Sequence, residues 1–210
     1  MVNYPTVIWT QDITSTVLFP PSAPAAPTTT ISGTTVITTW VAPSNGGSAI
    51  TGYTVKIRQS DAITFTAYAS CTGTAVTCTI AISVLQVAPY SLVAGASVYA
   101  QVLATNLIGS SAYSVAGNGA VLTAPSAPAA PTTVISGTNV AITWVAPAQG
   151  STAITGYTLK IRQSDAITFT VYASCTGTAV TCTIAISVLQ AAPYSLVATA
   201  SVYAQVLATN

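Results

Sequence analysis

The chain has no histidine and no glutamate in 210 residues. Its charge comes from four cations, Lys56, Arg58, Lys160 and Arg162, and three anions, Asp12, Asp61 and Asp165. Charged residues make up 3% of the sequence, where a soluble domain typically carries about 25%. Without histidine or glutamate, a serine or threonine nucleophile has almost no base to activate it, so no catalytic residue, metal ligand or cofactor site is expected and the protein does not read as an enzyme. With a net charge of +1 there is no basic surface to recruit nucleic acid. A polar surface with so few charges repels its own kind weakly and tends to associate.

Other absences narrow the reading further. Residues 1–12, MVNYPTVIWTQD, lack the basic and apolar blocks of a secretory leader. The mean hydropathy is +0.66, and residues 79–104 carry no charge over a length that could cross a bilayer. That stretch nevertheless holds Pro89, Gln86 and Gln101 and ends in two-residue alternation, so no membrane span is expected. No Asn-x-Ser/Thr acceptor occurs, although the Thr-rich stretches PTTTISGTT and CTGTAVTCT could carry O-glycans.

What is present is a long internal repeat. PSAPAAP stands at 21–27 and again at 125–131, and between 21–106 and 125–210 only 12 of 86 aligned positions differ. A period near 104 is too long for a solenoid unit and suits a sandwich domain of about 100 residues. Inside each unit the pattern is that of strands. TVITTW places Val36, Thr38 and Trp40 on one face, and GYTVKIR places Tyr53, Val55 and Ile57 opposite Thr54, Lys56 and Arg58. SVYAQVLATN alternates in the same way, with Val98, Ala100, Val102 and Ala104 on one side. Turn signals such as SNGGS and SGT separate these runs, and no segment keeps a helical period. The fold class is therefore all-β, a tandem pair of antiparallel β-sandwiches.

The order ITW-x-AP, then GSAITGYT-x-KIR, then VYAQVLATN-x-x-GSSAYS resembles the fibronectin type III domain, and the resemblance covers nearly all of the chain beyond residue 20. It implies that Trp40 and Trp144 are the core tryptophans of the second strand and that Tyr53 and Tyr157 are the aromatics of the third. Where the family carries a sixth-strand tyrosine, this chain has Val98, with Tyr99 one place on. No RGD occurs, so the integrin-binding role of some members does not carry over. The family usually lacks cysteine, but each unit here has the sequence CTGTAVTC, giving Cys71 with Cys78 and Cys175 with Cys182. With no histidine and too few ligands for zinc, each pair reads as a disulfide across the ends of neighbouring strands. Two disulfides point to an oxidising, extracellular setting. KIRQSD, the only charge cluster, reads as a solvated strand face whose turn could return Asp61 to Arg58.

The ends of the chain raise the question of function. The first unit, 21–124, continues after Asn106 for eighteen residues that should form a last strand; the second, 125–210, ends at the matching Asn210. Residues 1–20 alternate, with Val7, Trp9, Ile13, Val17 and Phe19 apolar, and a shift of 104 sets Trp9 on Tyr113 and Val17 on Val121. The expectation is that residues 1–20 act as a donor strand. They would bury those five side chains against the acceptor edge Val202, Ala204, Val206 and Ala208 of another copy. The linker PPSAPAAP reaches at most about 26 Å, short for closing its own second unit across an intervening sandwich. A head-to-tail contact that does not close grows into a filament, by the strand complementation that also builds pilin fibres, whose sequences are not similar. The alternative is a slice of a long covalent array serving as adhesin or spacer in a larger secreted protein. The expected partners are other copies of the chain, with surface glycans as a further candidate.

Overall fold

The structure is a computed structural model that describes residues 17–210. It contains two successive β-sandwiches. In the first, β1 (Thr28–Ser32), β2 (Thr35–Thr39) and β5 (Thr77–Ala81) form one sheet in the order β1-β2-β5. The facing sheet is built from β3 (Ile50–Arg58), β4 (Phe65–Ala67) and β7 (Ala100–Asn106), in the order β4-β3-β7. Every pairing is antiparallel. This arrangement is fibronectin type III-like.

The strands follow from alternation. Val36 and Thr38 of β2, Tyr53, Val55 and Ile57 of β3, and Ala100, Val102 and Ala104 of β7 are all buried, while their sequence neighbours are wholly or partly exposed. Burying one face of each sheet against the other is what orders the two layers. Trp40 lies in the centre, edge-on to Tyr53 at 5.3 Å between ring centroids. Trp144 and Tyr157 repeat this in the second unit at 5.4 Å. The β1–β2 hairpin turns through two residues with Gly33 at φ +56, a left-handed conformation that suits the strand twist.

The charge-free stretch 79–104 does not form one continuous element. It holds most of β5, a single helical turn (Ile82–Leu85), β6 (Ser97–Val98) and part of β7. No helix among the described residues is long and apolar enough to cross a membrane.

The second unit repeats the plan. Its sheets are β13-β10-β9, from β9 (Thr132–Ser136), β10 (Asn139–Thr143) and β13 (Thr181–Ala185), and β12-β11-β14, from β11 (Gly156–Arg162), β12 (Phe169–Val171) and β14 (Ala204–Thr209). A helical turn at Ile186–Gln190 matches that of the first unit.

The two disulfides form as paired in sequence, Cys71 with Cys78 and Cys175 with Cys182. Their placement corrects the expectation of a bridge across two strand ends. Cys78 lies within β5, but Cys71 lies in the loop between β4 and β5. The bridge therefore ties a loop to a strand, and the tied loop closes the end of the sandwich: Tyr53 N donates to Gly73 O and Trp40 N to Val76 O, both at 3.0 Å.

Candidate functional site

In the first sandwich, the segment after Asn106 completes the core. It runs beside β7 with an irregular ladder in which serine hydroxyls take the place of carbonyls. Ser114 N donates to Val102 O at 2.8 Å, and Val102 N donates back to Ser114 Oγ at 3.0 Å. Ser111 makes the same pair with Ala104, and Gly117 N donates to Ala100 O. The chain then forms β8 (Ala120–Val121), antiparallel to β6, with Ser97 opposite Val121. Leu122 follows and is buried to 2% exposure, with its N–H on Ala96 O and its carbonyl accepting from Gly95 N. Asn118 fixes the first strand across this edge, its side-chain oxygen accepting from both Thr29 N and Thr29 Oγ1.

Nothing among the described residues does this for the second sandwich, and the consequence is local. Val98, Ala100 and Val102 are fully buried, whereas the corresponding Val202, Ala204 and Val206 are only partly covered. Ala208 remains buried. These four predicted acceptor residues thus share the inward face of the edge, and three of them line a groove. Thr29 is buried but Thr133 is exposed, and β9 is exposed along its whole length. The groove holds about 640 Å³ between Pro131, Thr133, Ile135, Val140, Val202 and Ala204. A further 370 Å³ adjoins it beside Lys160, Gln205 and Leu207.

Of the predicted donor residues, Val7, Trp9 and Ile13 lie outside the described residues. Val17 and Phe19 are exposed. The backbone at Phe19 is anchored all the same: its N–H donates to Gly46 O, and its carbonyl accepts from Asn106 Nδ2, both at 2.8 Å.

The charge cluster is occupied by stacking and turn-capping contacts. Arg58 stacks over Tyr99 at 3.8 Å and Lys56 over Tyr113 at 4.1 Å from the ring centroid. Asp61 does not turn back to Arg58 as its main partner. It caps its own turn, accepting from Thr64 Oγ1 and from the N–H groups of Ile63 and Thr64. The Thr64 hydroxyl above all, and then these N–H groups, hold its carboxyl below the ordinary 3.8. Asp165 does the same with Thr168. Sequence reasoning missed two buried phenols. Tyr90 donates to Ala67 O and Tyr194 to Val171 O, and burial raises the pKa of both. The A-P-Y-S context around them was a visible but unused signal. No cluster of three metal-ligating side chains occurs among the described residues.

No family model matches the sequence, and no curated protein matches it. Solved structures do match. A three-domain titin structure is 24% identical over 49% of this chain and 32% of that one, with a TM-score of 0.40. The FN1–FN3 domains of chicken CNTN1 are 16% identical over 91% and 62%, with a TM-score of 0.43. The twitchin kinase region from C. elegans is 23% identical over 50% and 17%, with a TM-score of 0.40. The chain spans less than two thirds of the length of each. The assignment to a fibronectin type III-like sandwich is carried by the strand order and core described above.

Proposed function

We propose that this chain is an extracellular structural protein that assembles head to tail, residues 1–20 of one copy completing the second sandwich of the next. The observation that carries the proposal is the pairing of an open groove of mixed polar and apolar lining in the second sandwich with a segment that stands, by the 104-residue repeat, where the first sandwich keeps its completing strand. An edge left with unpaired N–H and C=O groups is a template for a strand from another chain. The near absence of charge removes the repulsion that keeps most sandwiches apart. The role is structural and not catalytic, and the two disulfides suit an oxidising compartment outside the cell.

Deleting residues 1–20 tests this. The shortened protein is expected to stay monomeric or short in electron micrographs, and a synthetic peptide of residues 1–20 is expected to bind it and raise the melting temperature of its second sandwich. Filaments of ordinary length from the deleted protein would reject strand donation. They would favour the second reading, in which residues following Asn210 in a longer chain fill the groove and the protein is one slice of a covalent array.

A further inference from the structure

We infer that the incoming strand is held in one register, with Leu18 as its anchor in the socket that Leu122 fills in the first sandwich and Trp9 outside, over Lys160. This rests on the assembly proposed above and names the residues that decide it. The junction between the two sandwiches is the guide. Leu122 is buried in the first, and the next residue, Thr123, is fastened to the second: Thr123 N donates to Ser151 Oγ at 2.7 Å and Ser151 N to Thr123 O at 3.0 Å. Residues 18 and 19 already hold the latter half of such a junction. Phe19 is bonded to the first sandwich through Gly46 and Asn106. The approach is close in both places: a Cβ on Gly46 would lie 2.2 Å from Phe19 O, and one on Gly150 would lie 2.5 Å from Thr123 O. Leu18, immediately before this anchor, rests against Gly47 and stays 42% exposed.

The vacant socket has matching chemistry. The cleft at that place holds about 40 Å³ between Ile135, Val140, Ile186, Leu189, Leu196 and Val202, the repeats of Ile31, Val36, Ile82, Leu85, Leu92 and Val98, which share the first core with Leu122. The intact strand also fixes which face points inward. Ser114 and Leu122 are buried, whereas Val121 is 49% exposed and Tyr113 packs outside under Lys56. Shifted by 104, the inward residues are Thr10 and Leu18. Val17 and Trp9 then face outward, opposite to what the alternation of residues 1–20 suggests. Lys160 borders the groove, and Trp9 stands at the position of Tyr113, offering the ring type that holds a cation best. Between these two points the path must differ. Gly117 passes so close to the chain just before β1 that a Cβ would lie 2.0 Å from Pro27 O, and a Cβ on Gly119 would lie 2.6 Å from the Tyr99 ring. The corresponding residues are Ile13 and Ser15, so the donated strand bows away there and its register is set at its ends.

Full-length variants test this by the concentration at which half the subunits are assembled, read by sedimentation. Leu18→Ala is expected to raise that concentration by about 30-fold or more, and Leu18→Met to restore most of it. Val17→Ala is expected to change it by less than about threefold. Trp9→Leu and Lys160→Met are each expected to raise it about two- to fivefold, with the double variant no worse than either alone. Leu18 lies outside both cores, so the monomer should melt as the parent does. If Val17→Ala weakens assembly as much as Leu18→Ala, or Leu18→Ala has no effect, the register is wrong. If Trp9→Leu and Lys160→Met are additive, the stacking is wrong. Normal assembly after deletion of residues 1–20 would instead reject the assembly itself.

Discussion

The two sandwiches are nearly the same sequence, but one edge is covered in the first and open in the second. Both have the same sheet order, the same Trp–Tyr contact and the same disulfide-tied loop. They differ where the first has residues 107–122 and the second has a groove. The loss is confined to one edge: the central residues Ile161 and Ile184 are as buried as Ile57 and Ile80. Among the described residues, the second sandwich has both of its three-stranded sheets and an open groove along the edge that residues 107–122 cover in the first. The substitutions tell the same story on a smaller scale. Gly95, at φ +90, aims its N–H at Leu122 O. Its counterpart Thr199 is not among the residues with positive φ, so the turn beside the groove is shaped differently.

The largest effect is expected at the shared centre. Trp40→Ala should cost the first unit about 3–5 kcal/mol, and Trp144→Ala should leave the second unit, which starts with less buried area, unfolded in the unassembled chain. Denaturant titration followed by near-UV circular dichroism would show it, and equal residual stability of the two variants would contradict the difference in completion. Leu122→Ala should erase part of that difference by opening the same socket in the first unit, lowering its stability by about 2–5 kcal/mol. Removing either disulfide by a paired Cys→Ala change should cost about 2.5 kcal/mol, equally in both units because the tied loop is intact in each.

A smaller effect carries the opposite sign. Thr38 buries a hydroxyl with no hydrogen-bond partner, and the second unit has Ile142 at that position, fully buried. Thr38→Ile should stabilise the first unit by about 1–3 kcal/mol. A destabilised variant would mean that the hydroxyl is satisfied in solution.

The pH dependence should separate the units least. Asp61 and Asp165 have carboxyl groups held below the ordinary value by their Thr hydroxyls. That contribution is present above about pH 4 and is lost as pH falls through the lowered folded value. Burial raises Tyr90 and Tyr194 above their ordinary value of 10.0, so their contribution is present below about pH 10 and is lost as pH rises beyond it. With no histidine to titrate between, melting temperature should be flat from about pH 5 to 9. A step inside that window would contradict this account.

Much of this was legible in the sequence because alternation and the 104-residue repeat are direct images of the pleat and of a duplicated core. TVITTW and GYTVKIR gave their buried faces correctly because one face of each sheet packs on a single core. The position of Cys71 was not legible, since spacing does not say whether a residue closes a strand or the loop beyond it. The inward face of the completing strand was not legible either. Ser114 is buried, and both Ser111 and Ser114 carry ladder bonds to β7 through their hydroxyls, so polarity no longer marks the outside.

If residues 1–20 of one copy lie against the open edge of another, a disulfide cross-link should trap them there. Val121 pairs with Ser97 in the first sandwich, so Val17 of one copy should face Ser201 of the next. The double variant Val17→Cys, Ser201→Cys, oxidised after assembly and run without reductant, should give a ladder of covalent multimers that collapses to monomer on reduction. An internally linked monomer, or no cross-link in preparations that contain filaments, would contradict it.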